Sequence, residues 1–333
     1  MREPAFWWRE PGLLAALLAP LGALYGAVAA HRLQLPGRRA RVPVVCVGNL
    51  TLGGSGKTPA AIAIARMLQA AGDRPAFLTR GYGGRLAGPV LVEPAHTAAE
   101  VGDEPLLLAR VAPTIVARDR VAGAAAVPAE TTVIVMDDGF QNPSLEKDIS
   151  VVVIDGRRGI GNGKTFPAGP LRAPLAAQLG RYPALLVVGE TGASAQALLK
   201  AARGLAVATG RLVPDAAAVA ALAGRRALAF AGIGNPDKFF ATLRASGIDV
   251  AETRSFADHH AFSAAEAREL IDRAAAARLT LVTTEKDHAR VAGDEKLAAL
   301  ASHALTLPVT LALDGADVLG PLLANLKGRL FSR

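Results

Sequence analysis

The amino-acid sequence predicts an α/β fold built on a parallel sheet, and three observations carry that reading. An apolar, β-branched run at 42–47 stops at Gly48, passes through a glycine-rich loop and enters a helix over 59–71. Apolar strand candidates then recur at 76–78, 114–117, 132–136, 150–154 and 184–188, with helical or looped stretches between them. The same grammar restarts near residue 227. Alternating strands and helices imply a parallel sheet covered on both faces.

Composition sets the outer limits. A chain of 333 residues with 51% hydrophobic and 20% charged residues has material for one large core or two modest ones, which excludes disorder as its main state. The net charge of +8 points to an anionic partner: nucleic acid, a phospholipid surface or a phosphorylated substrate. Aromatics are only 5%, and no Lys/Arg tract is interleaved with them, so the stacking platforms of nucleic-acid binders are missing and no nucleic-acid partner is expected. The single cysteine, Cys46, forbids an intramolecular disulfide and sits in an apolar run as core packing.

The first element is the segment 11–30, free of charge and long enough as a helix to span about 30 Å, one hydrocarbon core. Phe6, Trp7 and Trp8 precede it like an interfacial belt; Arg32, Arg38, Arg39 and Arg41 follow it and favour the cytoplasm for everything downstream. Pro11 suits a first helical turn, and Pro20 is expected to kink the middle. A cleaved export signal ending near Ala27-Val28-Ala29 and a helix lying in the interface or packed on the protein are the alternatives.

After the strands listed above comes an Ala-rich stretch, 194–226, without a sharp motif. Gly224-Arg225-Arg226 then precedes a fresh strand at 227–231, and a domain boundary is placed there. A helix at 236–246, a strand near Val250, a helix opened by the capping box Ser263/Glu266, a strand at 280–284, a last strand at 309–313 and a terminal helix complete the chain. The expected organisation is an anchor helix (1–35), a first α/β lobe (36–210) and a smaller α/β lobe (225–333).

Residues 48–59 read GNLTLGGSGKTP between strand and helix, the context that a phosphate-binding loop requires. Gly53, Gly54 and Gly56 permit backbone that turns amides toward an anion, joined by the positive end of the following helix. Thr51, Leu52, Ser55 and these glycines form the expected cradle; Lys57 would reach the β and γ phosphates of ATP, and Thr58 would ligate Mg²⁺. Thr51 stands where the general pattern has its first glycine. Residues 132–141, TVIVMDDGFQ, supply an apolar strand ending in two aspartates, as a Walker B carboxylate must be placed. The first lobe is therefore expected to be of the P-loop NTPase type. That apparatus alone does not distinguish kinase, switch GTPase, transport ATPase or ligase; no NKxD-type guanine-reading tetrapeptide is present.

VGNLTLGGSGKTP (47–59), TRGYGG (79–84), VGDEP (101–105), MDDGFQ (136–141), FPAGPLR (166–172), FADHHAF (256–262) and TTEKD (283–287), in that order, together resemble the tetraacyldisaccharide 4′-kinase family, the lipid A 4′-kinases of Gram-negative bacteria. The resemblance implies transfer of the ATP γ-phosphate to the 4′-hydroxyl of an acylated glucosamine disaccharide 1-phosphate, giving lipid IVA, with the lobes on the cytoplasmic face of the bacterial inner membrane. It also implies that Asp103 is the base on the acceptor hydroxyl and His259 its partner; read from the residues alone, Asp103 is equally a helix N-cap and His259 a solvated loop histidine. Family position favours Asp138 for Mg²⁺ and puts Asp137 near the nucleotide or just behind the metal's own ligands. Arg80, Arg118, Arg120 and Arg172 are candidates for phosphate groups of either substrate. Ala173 departs from the family's usual glutamate at that place. A P-loop kinase or ATPase acting on a different small or lipid substrate is the alternative reading.

Overall fold

The structure, a computed structural model, describes residues 3–180, 184–314 and 316–331. The remaining positions, which include the ends of the expected anchor segment and second lobe, lie outside the described residues. A 3-10 turn at Ala5–Trp8 leads to α1 (Leu13–Gln34), β1 (Val44–Gly48), α2 (Lys57–Ala70), β2 (Pro75–Thr79), β3 (Val90–Leu91), α3 (Ala98–Val101), α4 (Asp103–Ala109), β4 (Thr114–Val116), α5 (Arg120–Ala125), β5 (Val133–Asp137), β6 (Ile149–Asp155), α6 (Leu175–Leu179), β7 (Ala184–Val188), α7 (Ala193–Ala201), β8 (Val207–Pro214) and α8 (Ala216–Leu222). The second lobe adds β9 (Arg226–Ala231), α9 (Pro236–Ala245), β10 (Asp249–Ser255), α10 (Ala264–Ala277), β11 (Thr280–Thr283), α11 (Glu285–Ala292), α12 (Ala298–His303) and β12 (Ala304–Thr306), before β13 (Val309–Asp314) and α13 (Ala316–Phe331).

The larger sheet has the order β13-β8-β7-β6-β1-β5-β2-β4-β3 and is parallel except at its edges, where β13 and β3 run antiparallel to their neighbours. All five residues of β1 are buried. Its pleat sends Val45 and Val47 into a core with Ile64 and Phe77, and Val44 and Cys46 into a second core with Leu78, Ile134 and Met136. Each such fully buried aliphatic side chain contributes roughly 1.5–3 kcal/mol. Covered on both faces, the strands need no polar alternation, which is why their runs read as continuous. The smaller sheet, β10-β9-β11-β12, is wholly parallel and repeats this two-sided packing. Ser263 and Glu266 form the expected capping box at the start of α10.

The path of the chain departs from the sequence reading at its end. β13 does not close the second lobe; it pairs with β8 in the first, from Val309↔Pro214 to Asp314↔Thr209, and α13 packs with it through Leu319, Leu323 and Leu326. The second lobe is therefore an insertion whose chain both leaves and re-enters the first. The strand β8 itself falls in the Ala-rich stretch that showed no motif.

α1 runs unbroken through Pro20 and has a mean hydropathy of 2.0 over its most apolar window. One stripe, Ala15, Gly22, Gly26 and Leu33, is buried on the body. At Gly22 a β-carbon would come within 2.8 Å of the Thr165 carbonyl oxygen, so the close approach requires glycine. The other side presents Leu13, Leu17, Leu21, Leu24 and Val28 to the outside, Leu13 at 85% exposure.

Candidate active site

Two strand ends form the floor of the site. β1 lies between β6 and β5, where the chain direction across the sheet reverses, and such a switch point leaves a crevice beyond the carboxyl ends of the strands. The loop after β1 and the end of β5 face that crevice, with Val47 and Asp137 in register. Gly56 takes φ +89 as it caps α2, and Gly53 takes φ +97 with the Glu3 carboxylate occupying the place a β-carbon would take. A side chain at either position would be strained or would clash.

Thr51, the anomaly in the loop pattern, has a structural reason. It forms an antiparallel bridge to Leu171, and its carbonyl accepts from Arg172 Nε at 3.0 Å; the flanking Leu52 N–H donates to the Pro170 carbonyl at 2.8 Å. The 166–172 segment is thus zipped along the phosphate loop, which delivers Arg172 to the crevice.

There Lys57 Nζ lies 3.8 Å from Asp138 Oδ2, and Arg172 Nη1 donates to Asp138 Oδ1 at 2.9 Å. Asp138 takes φ +52, a turn that swings its carboxylate off the line of β5 toward these two cations. Burial alone would raise its pKa; Lys57 and Arg172 outweigh burial and bring it down to about 2. Asp137 is its opposite. Fully buried, with neither carboxylate oxygen hydrogen-bonded among the described residues, it is pushed up to about 7 by burial and by the nearby charges of Glu104 and Asp138. The Thr58 hydroxyl is likewise buried and unpartnered. Hard oxygen donors left free at a phosphate loop fit a Mg²⁺ ion that keeps the rest of its octahedron for water and phosphate. The sequence reading gave the metal to Asp138; among the described residues, the carboxylate of the two without another partner is that of Asp137.

Across the cleft, of about 1040 Å³, stands the second lobe. Its loop after β10 carries His259, whose Nδ1 lies 3.6 Å from Asp103 Oδ1, within ion-pair reach though beyond a hydrogen bond. Tyr82, from the TRGYGG segment, lies against the His259 ring at 4.6 Å between centroids. Burial favours the neutral imidazole, but Asp103, Asp258 and Glu104 hold the His259 pKa above its ordinary value. Asp103 is 1% exposed at its side chain. Burial works against its charge, yet His259, Arg290 and Lys286 keep it well below the usual carboxylate range. Lys286 Nζ reaches Glu104 Oε1 at 2.5 Å, and Arg290 Nε donates to Asp103 Oδ2 at 2.7 Å. Neither cation was singled out from the sequence, although both stand in or just after TTEKD.

The other expected residues divide. Leu52, Gly53, Gly54, Gly56, Lys57, Thr58, Asp138, Arg172 and His259 line one cleft. Ser55 and Thr51 are buried in the loop beneath it. Arg80 and Arg118 are exposed, and Arg120 is buried, bonded to the Ala117 carbonyl and within electrostatic reach of Asp138 and Asp137. Ala173 is buried, and its carbonyl accepts from Gln178 Nε2 at 2.7 Å. The arrangement can cradle a polyphosphate, neutralise its charge from two sides and hold a carboxylate–imidazole pair opposite it.

Comparison with known proteins gives a consistent set. A model of the tetraacyldisaccharide-1-P 4′-kinase family matches residues 14–327. A protein of Methylobacterium sp. (strain 4-46) named tetraacyldisaccharide 4′-kinase is 59% identical over 334 residues, covering 99% of each chain. A Nitrobacter hamburgensis protein of the same name is 56% identical over 332 residues, again covering 99% of each. Among solved structures, LpxK from Aquifex aeolicus in complex with ATP superposes with a TM-score of 0.68 at 24% identity, covering 94% of this chain and 99% of that one, a likeness of fold.

Proposed function

The chain belongs to the tetraacyldisaccharide-1-P 4′-kinase family, and on that premise we propose that it transfers the γ-phosphate of ATP to the 4′-hydroxyl of a tetraacyldisaccharide 1-phosphate, forming lipid IVA in lipid A biosynthesis. The observation that carries this reading is the meeting of Lys57, Asp138 and Arg172 at the mouth of the phosphate loop, with His259 lining the same cleft and Asp103 buried behind it, 3.6 Å from its ring nitrogen.

Phosphoryl transfer is mostly positioning and charge stabilisation. Lys57 and the amides of 52–58 hold the β and γ phosphates, and Arg172 adds a second cation. Thr58 and Asp137 would hold Mg²⁺, Asp137 offering oxygens without another partner among the described residues, while Asp138 keeps Lys57 and Arg172 in place. Held there, such an ion would supply positive charge to the phosphate oxygens. Asp103, backed by His259, takes the proton of the acceptor hydroxyl as the new P–O bond forms and the bond from the γ-phosphorus to the β–γ oxygen breaks, with ADP leaving. Arg80, two residues before Tyr82, and Arg118 are exposed and available to the acceptor's 1-phosphate.

A four-chain acceptor stays in its bilayer, so the enzyme must come to it. Support comes from α1: its buried stripe runs the length of the helix, which leaves the opposite apolar face for lipid. A helix docked in this way on a polar body lies along the inner-membrane surface with the lobes on the cytoplasmic side. Phe166, in contact with Tyr25 of α1 at 5.4 Å between centroids, begins the segment that ends at Arg172, so the lipid-facing surface leads into the site.

The test is to incubate the full-length protein with γ-labelled ATP, Mg²⁺ and bacterial glycolipid. Label in a disaccharide lipid at the 4′ position is expected. Steady ATP hydrolysis with no labelled lipid would replace this reading with that of an ATPase.

A further inference from the structure

Arg290 joins Asp103 to the loop that carries His259. It stands on α11 four residues after Lys286, so both side chains leave one face of the helix and meet Asp103 and Glu104 at the start of α4. The two carboxylate oxygens of Asp103 are divided. Oδ2 accepts from Arg290 Nε at 2.7 Å, while Oδ1 accepts from the Glu104 amide at 2.8 Å and faces His259 Nδ1 at 3.6 Å. The other arm of the same guanidinium turns to the second lobe. Arg290 Nη1 donates to the Gly232 carbonyl at 2.9 Å and to the His260 carbonyl at 3.3 Å, and lies 3.1 Å from Asp287 Oδ1. The Gly232 carbonyl also accepts from the His259 amide at 3.0 Å, and the Gly232 amide is held by Asp287 Oδ1 at 2.9 Å.

One planar group therefore fixes the rotamer of Asp103, from the first lobe, and the loop that carries His259, from the second. The Arg290 side chain is only 11% exposed, so the fork is held by packing as well as by its bonds. We propose that Arg290 is the positioning residue for phosphoryl transfer, the clasp that sets Asp103 and His259 in register when the lobes are together. The inference rests on the reading of Asp103 and His259 as the proton-accepting pair. A lysine at 290 would keep a charge for Asp103 and lose the second arm, because an ammonium is a point donor and the guanidinium a rigid fork.

The experiment uses the full-length protein with ATP, Mg²⁺ and the disaccharide lipid in mixed micelles. It compares wild type with Arg290→Ala, Arg290→Lys, Asp103→Asn, His259→Ala and the double variant Arg290→Ala/Asp103→Asn, measuring kcat, the KM of each substrate and ATP affinity. Misplacing a reacting group by about 1 Å costs on the order of 100-fold. Arg290→Ala is therefore expected to lower kcat by about that factor while ATP affinity stays at the wild-type value. Arg290→Lys should recover part of the loss, and Arg290→Ala should add almost nothing in the Asp103→Asn background. Should Arg290→Ala fail to fold, Arg290→Lys carries the same comparison, singly and with Asp103→Asn. Wild-type kcat in the Arg290 variants, or losses that multiply in the double variant, would overturn the clasp while leaving the pair intact. Full kcat in both Asp103→Asn and His259→Ala would overturn the pair, and the clasp with it.

Discussion

Lys57 Nζ lies 3.8 Å from Asp138 Oδ2, tying the first turn of α2 to the residue just past β5. With Arg172 on the other carboxylate oxygen, the contact fixes three side chains from three segments around the place where phosphate charge would sit.

Removing a cation from that place should cost more than removing the base. Lys57→Ala is expected to lower kcat/KM by about 10³-fold, the upper range for one preorganised charge contact. Asp103→Asn should cost about 10²-fold, the lower range for a general base. Steady-state kinetics of the two variants decides the order; equal losses would mean that proton transfer limits the reaction as strongly as charge stabilisation.

The aspartate pair should separate in magnesium titrations. Asp137→Asn is expected to raise the Mg²⁺ concentration needed for half-maximal ATP binding severalfold, because its oxygens have no other partner among the described residues. Asp138→Asn should weaken ATP binding with a smaller change in that Mg²⁺ midpoint, since it acts through Lys57 and Arg172. The reverse pattern, read with a fluorescent ATP analogue, would return the ion to Asp138.

His259 should set the acid limb of the pH profile. Its pKa lies above the ordinary 6.5, because Asp103, Asp258 and Glu104 outweigh the burial that favours the neutral ring. A raised folded-state pKa means that the ion pair stabilises the fold fully below the unfolded value and loses that contribution as pH rises through the folded one. Catalysis runs the other way: a charged ring cannot assist proton removal, so kcat should rise through the folded pKa and then level. Asp103→Asn removes one of the charges that raise it, and the limb should move to lower pH. A limb that stays in place would show that another group titrates there.

The two faces of α1 should respond differently to substitution. Leu17→Asp with Leu24→Asp, on the exposed face, is expected to reduce flotation with anionic vesicles and leave the thermal midpoint unchanged. Gly22→Val forces carbon atoms against the Thr165 carbonyl, which should destabilise the folded protein by about 1–3 kcal/mol. Loss of vesicle binding by Gly22→Val alone would mean that lipid lies on the face assigned to the body.

Much of the first lobe was legible because its signals are local. β7 was read to the residue from a five-residue apolar run, and the helix after the phosphate loop began within two residues of its expected start. β8 was not legible. Gly210 and Arg211 interrupt its apolar run, and burial on it is patchy because it lies near the sheet edge, covered on one side by β13. Arg290 left no trace for a similar reason: its partner Asp103 is 187 residues away, and a surface-type arginine in an amphipathic helix has the same local pattern whether or not it crosses a cleft.

The sequence by itself determined the phosphate loop, the paired aspartates, the α/β character of both lobes and the apolar first helix. Each rests on spacing along the chain, and hydrogen-bond geometry and pleat or helix period act within a few residues. Tertiary structure alone decided that β13 returns to the first sheet, that Lys57 and Arg172 engage Asp138 and not Asp137, and that α1 buries a glycine stripe against the body. These depend on which distant groups compete for the same cation, carbonyl or apolar surface. Such competition is settled by packing in three dimensions and has no period that a linear pattern could carry.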